Sequence, residues 1–261
     1  MINSIADIAK GLQRITLAGL LGWSDVKQRY RRSRIGPFWL TISMGVMIAS
    51  IGFVFGQIFR APAAEFLPFL AAGLILWTFI SGVLQEGCTS FISAEAIIRQ
   101  LQIPLFVHVL RTLWRNIIMF AHNIVILPIV FLVMGKPITW NILLCIPGLF
   151  LLVLNLTWMA LLLGIFSARF RDFPQIVASV LQVVFYLTPI VWMPSLLPAR
   201  SANLILDPNP AYHLMEVVRS PLLGTVPSLL SWAVVIAMAI AGWALTLWFY
   251  GRFRTRIAYW L

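Results

Sequence analysis

Charge is scarce in this chain, and negative charge is scarcer still. Only 10% of its 261 residues are Asp, Glu, Lys or Arg, and only eight are acids. A soluble globular domain carries about 25% charged residues. This shortfall, with 61% hydrophobic residues and a mean hydropathy of +0.94, excludes a soluble domain, a disordered chain and a free nucleic-acid-binding module. Cysteine is nearly absent. Cys88 and Cys145 form no CxxC pair and support no disulfide framework, which excludes a small cross-linked secreted scaffold. The three histidines, His108, His122 and His213, are scattered and suggest no metal or catalytic cluster. GxxxxGK[ST], GxSxG and HExxH are all missing, so no P-loop, nucleophile elbow or zinc-hydrolase helix is encoded. What remains is a polytopic membrane protein, expected to be an all-α one.

Six apolar runs stand out, over residues 37–59, 66–84, 116–134, 141–166, 173–192 and 226–250. Each is close to the roughly 20 residues that cross a bilayer core. The net charge of +11 is read as topology. The segments through residue 36, 85–115, 167–172 and after 250 together carry fifteen Lys and Arg, against four (Arg60, Lys136, Arg200 and Arg219) in the alternate loops. Positive residues collect on the cytoplasmic side, so both termini are expected there. No acid falls in the middle of a run, which weighs against an ion-coupled carrier, since such carriers rely on intramembrane carboxylates. No cleavable leader is expected, because the first 35 residues are charged and amphipathic.

Residues 1–36 form an expected cytoplasmic N-terminus, 37–250 the bundle, and 251–261 a cytoplasmic tail, all in one domain. Ile5, Ile8, Leu12 and Ile15 recur at helical spacing, with Asp7, Lys10 and Arg14 on the other side. This pattern predicts a helix lying in the interface plane. Residues 25–34 follow with Lys27, Arg29, Arg31, Arg32 and Arg34 against a single acid. They read either as a topology determinant beside anionic lipid or as a docking site for a phosphate-bearing substrate. Residues 95–101, with Glu95, Ile97, Ile98, Arg99 and Leu101, predict a short cytoplasmic helix. It suits a protein partner, or packing against the N-terminal helix.

Seven of the fifteen prolines lie between Pro189 and Pro227, in a stretch too apolar for a solvated loop. Two short helices fit, over 195–206 and 210–219, with Asn209 capping the second and Pro210 at its first position. The pair is expected to dip back into the membrane, where irregular backbone must be buried or line a cavity.

Two polar stripes share helix faces: Gln175, Ser179, Gln182 and Tyr186 in the fifth run, and Thr78, Ser81 and Gln85 in the second. Each reads as interhelical glue or as channel lining. A neutral polar lining with the nearby aromatics Phe185, Tyr186 and Trp192 suits an uncharged hydroxyl-rich polymer. Gly45, Ala49, Gly52 and Gly56 make a small-residue seam for close packing in the first run. His108, Arg111, Arg115 and His122 line one face at the start of the third, either as snorkelling side chains or as contacts to a partner or a phosphate.

These features together resemble the membrane subunit of ABC-2 type polysaccharide exporters, which serve O-antigen, capsule and teichoic acid export. The most specific piece is Asp25-Val26-Lys27-Gln28-Arg29-Tyr30-Arg31-Arg32-Ser33-Arg34-Ile35-Gly36-Pro37-Phe38-Trp39. It is similar to a family pattern D-x-K-x-R-Y-R-R-S-x-L-G-P-x-W at the start of span one. Arg169-Phe170-Arg171-Asp172, Thr188-Pro189-Ile190, Asn209-Pro210 and Arg219 follow in order.

The resemblance implies six transmembrane helices, two copies paired into one channel, and two copies of a separate ABC ATPase that holds the ATP and Mg, with no cofactor in this chain. It makes residues 95–101 a coupling helix seated on that ATPase, although Ser93-Ala94 stands where family members often carry Asn. It makes Pro189, Asn209, Pro210 and Arg219 parts of a re-entrant periplasmic gate. The substrate it implies is a glycan on a polyprenyl pyrophosphate, moved across a bacterial inner membrane, with membrane lipid as the surrounding partner and no nucleic acid. The rival readings are a teichoic acid, drug or lipid exporter of the same class, an ion-coupled secondary carrier, and a membrane-embedded glycan-modifying enzyme.

Overall fold

A computed structural model describes residues 2–31, 35–36, 38–196 and 198–261. Among the described residues the regular structure is helical, with no strand. The elements are α1 (Ile2–Gln13), α2 (Ile15–Arg29), α3 (Phe38–Phe59), α4 (Ala63–Cys88), α5 (Glu95–Gln100), α6 (Phe106–Asn123), α7 (Ile126–Met134), α8 (Cys145–Arg169), α9 (Phe173–Leu187), α10 (Ala199–Leu206), α11 (Pro210–Leu222) and α12 (Leu229–Trp260).

Five stretches are long and apolar enough to cross a bilayer: Phe38–Phe59, Ala63–Cys88, Phe106–Met134, Trp140–Arg169 and Leu229–Trp260. The chain is thus a multi-pass membrane protein. The expected fifth span is shorter than its hydropathy suggests, since α9 has 15 residues. At 1.5 Å per residue it reaches about 22 Å, less than the roughly 30 Å hydrocarbon core. It stops because Thr188 turns extended (φ −93°, ψ 136°), as a residue before proline prefers. The third span starts ten residues earlier than hydropathy indicates, at Phe106, because the helix carries Arg111 and Arg115 on one face without breaking.

The bundle is built around α4, which is buried along most of its length. It packs on α8, α6, α3, α7, α11 and α9. Its neighbours α3 and α9 are peripheral, and Leu181 is the buried residue of α9. The small-residue seam of α3 is only partly used. Gly52 is buried against Leu67 and Leu70 of α4, whereas Gly45 faces open space. On α8, Asn155 is fully buried and donates to the Val235 carbonyl of α12 at 3.1 Å. It also accepts from the Trp158 indole at 3.0 Å.

The N-terminal helix turns Asp7 inward and leaves Lys10 exposed. Asp7 is buried and accepts from the Tyr250 hydroxyl (2.6 Å) and the Phe106 amide (3.4 Å), with Arg254 at 3.5 Å. Ile5, Leu12 and Ile15 are half or more exposed. This reverses the pattern of a helix in water and suits one whose outer face meets lipid.

The proline-rich region forms α10 and α11, two short helices as expected, with α11 running one turn longer. Asn209 caps α11, its Oδ1 accepting from the Ala211 and Tyr212 amides (3.0 and 3.2 Å), with Pro210 in the first turn. Helix α11 lies directly on α8 at Gly148, where an added Cβ would collide with the Val217 carbonyl oxygen. Backbone cannot yield as a flexible side chain does. Gly148→Ala is therefore expected to lower stability by about 1–3 kcal/mol, read as a drop in melting temperature in detergent. An unchanged melting temperature would contradict this seating.

Candidate functional site

At the end of the bundle that carries the basic segment, α2, α4 and α6 meet in a charge network. Arg111 grips Asp25 with two hydrogen bonds (2.5 and 2.7 Å). Arg115 bridges Asp25 (2.9 Å) and Glu86 (2.7 Å). Asn116 donates to the same Glu86 oxygen at 2.7 Å, and Arg29 pairs with the other at 3.1 Å. Neither expectation for Arg111 and Arg115 describes them fully. They neither snorkel freely nor stand open to a partner, because both are spent on the two acids. Burial alone would raise the Asp25 carboxyl, but Arg111 and then Arg115 outweigh it and hold the group below its ordinary 3.8.

Of the basic segment, Lys27, Arg29 and Arg31 are exposed beside this network. Lys27 stands 5.8 Å from the Trp23 ring. Arg32 and Arg34 lie outside the described residues. Tyr30 reaches inward, its hydroxyl 3.9 Å from the Met119 sulfur.

Helix α5 projects at the same end. Glu95 and Arg99 pair across one turn (2.9 Å), Leu101 is 56% exposed, and Ile97 and Ile98 are half-buried. The helix touches α12. An open leucine and half-used isoleucines leave apolar surface for a partner.

The fifth-run stripe faces outward. Gln175, Ser179, Gln182 and Tyr186 are all exposed on α9. Ser179 donates to its own helix at Gln175 (3.1 Å). Phe185 turns inward against Trp77 (5.8 Å between centroids), and the Trp192 indole donates to the Tyr186 carbonyl (3.2 Å). On α4, Thr78 and Ser81 donate to Leu74 and Trp77 carbonyls of their own helix (2.8 Å each), and Gln85 is exposed. The two stripes do not line one cavity within the chain. Thr78 instead opens onto a cavity of about 370 Å³ between α3, α4 and α6.

At the opposite end the four proline-region residues come together. The Asn209 side chain donates to the Thr188 hydroxyl (3.0 Å) while capping α11. Arg219 is 1% exposed. It donates to the Pro189 carbonyl and to Glu216 (2.8 Å), and lies 4.3 Å from the Phe69 ring. Where the chain breaks from helix, the Thr188 hydroxyl and the Pro189 carbonyl are thereby met by the cap of α11 and by Arg219. A charge in the loop count signalled Arg219, but nothing in the sequence signalled Glu216 or Phe69 as its partners. Asp7, Tyr250 and Asn123 were likewise not singled out as functional. Tyr250 and Asn123 signal themselves only as polar groups in apolar runs, and Asp7 only as one charge on the polar side of an amphipathic helix.

Comparison with known proteins is consistent across three relatives. The sequence model of a family described as ABC2_membrane, ABC-2 type transporter, matches residues 16–223. An O-antigen export system permease protein RfbA of Myxococcus xanthus is 24% identical over 193 residues, covering 73% of this chain and 74% of the relative. Two proteins of that same description from Klebsiella pneumoniae are 24% identical over 185 residues (69% and 70% covered) and 25% identical over 228 residues (85% of each).

Two substitutions probe the two ends. Asp25→Asn leaves Arg111 and Arg115 short of a counter-charge and is expected to cost on the order of 2 kcal/mol, less than a fully buried pair would because the group is partly exposed. The stability from this link is complete above about pH 4 and is lost as pH falls through the depressed Asp25 value. A thermal-stability profile against pH that differs between wild type and Asp25→Asn at neutral pH and converges in acid would bear this out. Arg219→Lys cannot reproduce the planar fork that meets Pro189, Glu216 and Phe69 together. It is expected to lower the melting temperature measurably, whereas an equal melting temperature would show the clamp to be dispensable.

Proposed function

The chain belongs to the ABC-2 type transporter family, and we propose that it is the permease subunit of an ATP-driven exporter moving a polyprenyl-pyrophosphate-linked polysaccharide, O-antigen foremost, outward across a bacterial inner membrane. The observation that carries this reading is the outward-facing neutral stripe of α9, in a chain similar to three O-antigen export permeases. Amides and hydroxyls facing lipid are unfavourable. A second copy closing over α9 and the peripheral α3 puts Gln175, Ser179, Gln182 and Tyr186 on a shared path, where they bond successive sugars weakly and trap none.

In this reading α9 and the residues after it complete a sixth crossing. The Lys and Arg asymmetry sets both termini, the basic segment and α5 on the cytoplasmic side. Lys27, Arg29 and Arg31, with Arg32 and Arg34, draw the pyrophosphate to the inner leaflet. Glu95, Ile97, Ile98, Arg99 and Leu101 seat on the ATPase, which binds ATP and Mg, and pass its closure to the spans. The Pro189, Asn209, Pro210 and Arg219 clamp holds the re-entrant pair at the periplasmic mouth. Two permeases and two ATPases make the working unit.

A second reading, export of a lipid without glycan, is favoured by one observation. An apolar cavity of about 900 Å³ lies between the N-terminal helices and the bundle, walled by Leu12, Trp23, Leu110, Trp114, Phe150 and Trp243.

The test is surface glycan at equal permease level in cells carrying Gln182→Leu with Tyr186→Leu. We expect at least a severalfold loss, and unchanged glycan would sink the channel assignment. Deleting the partner ATPase should abolish export, whereas flux that persists without it and collapses with the membrane gradient would favour an ion-coupled carrier.

A further inference from the structure

The cavity between α3, α4 and α6 holds a polar group that the fold leaves unanswered. Asn123 lines it and is 4% exposed, and its Oδ1 has no hydrogen-bond partner among the described residues. A buried acceptor without a donor is costly; this oxygen is closed off in the cavity wall, and a turn of the Asn123 carboxamide presents it to a donor from outside the chain. Other polar groups meet it there. Ser43 is open to the cavity. Thr78 spends its proton on Leu74 and keeps its oxygen free to accept. The Phe79 and Phe120 rings, 4.8 Å apart, and the adaptable Met47 and Met119 supply the apolar wall. At about 370 Å³ the space falls in the range of small-ligand sites.

The position is as specific as the chemistry. Asn116, in the cavity wall, donates to Glu86, and Glu86 also pairs with Arg29 of the basic segment. Tyr30 of that segment touches Met119, another wall residue. The cavity therefore stands one layer inside the exposed Lys27, Arg29 and Arg31.

We propose that this cavity is the receiving site for the sugar joined directly to the pyrophosphate. One of its hydroxyls donates to Asn123 Oδ1, others bond Thr78 and Ser43, and its C–H face packs on the Phe79–Phe120 pair, while the pyrophosphate rests among the exposed basic residues. The inference rests on the lipid-linked glycan reading and names the part of the substrate that reading leaves unplaced. It separates recognition at the basic end from passage along α9. The cavity reads a single ring, whereas the stripe contacts many in turn.

The test uses the permease with its partner ATPase in nanodiscs and two probes: a polyprenyl pyrophosphate carrying one glucose, and the same lipid without sugar. Wild type is expected to bind the glucosyl lipid about tenfold more tightly, the worth of one or two well-made hydrogen bonds. Asn123→Leu is expected to erase that preference while leaving the affinity for the sugarless lipid unchanged. It should not lower the melting temperature, because it removes an unanswered acceptor. Equal wild-type affinity for the two lipids overturns the cavity assignment and leaves the export reading standing. Failure of wild type to bind either lipid overturns the lipid-pyrophosphate reading itself. A preference that survives in Asn123→Leu also overturns the assignment. If that variant does not fold, Thr78→Val serves in its place and should cut the preference severalfold, with an undiminished preference counting against the proposal.

Discussion

An unpaired charge near hydrocarbon is expensive, and this chain keeps its charges at the membrane ends by tying them to one another. Asp25 and Glu86 together hold Arg29, Arg111 and Arg115, and through them three helices that are far apart in sequence. Asp7 does the same for the first and last helices, reaching Tyr250 across 243 residues. With so few acids in the chain, five of the eight (Asp7, Asp25, Glu86, Glu95 and Glu216) pair with arginine among the described residues. Asp7, Asp25 and Glu86 each meet more than one partner on other helices, so the loss of one of them strands more than one neighbour. The N-terminal helices are therefore part of the bundle's end and not a loose anchor.

At the other end the constraint is backbone satisfaction rather than charge. Where α9 stops at Thr188, the chain runs without regular structure beside the apolar bundle, and in such surroundings free carbonyls and amides are not tolerated. Arg219 and Asn209, both on α11 or its cap, answer the residues just past α9. Arg219 offers a planar donor set that meets a carbonyl, a carboxylate and a ring together, which a lysine cannot. The tight seat of α11 on Gly148, in the first turn of α8, ties this clamp to the bundle, so α11 is joined to α8 and to the end of α9 together.

Much of the helical plan was legible in local pattern. The apolar runs gave the long helices to within a few residues at α3 and more loosely at α6. Asn209 before Pro210 announced a cap, and α11 begins there. Residues 95–101 announced a short helix, and α5 occupies them. The candidate site was less legible. Arg111 and Arg115 were visible as a basic face, but their partners lie 86 and 29 residues away, and no periodicity points to a partner at such separations. The inward turn of Asp7 ran against the amphipathic pattern, because periodicity tells which residues share a face but not whether that face meets lipid or protein. The stripe on α9 was visible as a stripe, and only its exposure on a peripheral helix separates it from packing glue.

By itself, the order of residues determined that this is a helical membrane chain, roughly where most of its long helices lie, where α11 is capped, and which segments gather positive charge, because hydropathy, helix capping and loop charge act over a few neighbouring positions. Tertiary structure alone decided which acids hold which arginines, that α4 is central while α3 and α9 stand outside, and that Asn123 faces a cavity with its oxygen unmet. Those outcomes depend on how six apolar faces of similar composition choose among one another. That choice is made by shape and by the pairing of a few scarce polar groups over long distances along the chain, where local pattern carries no information.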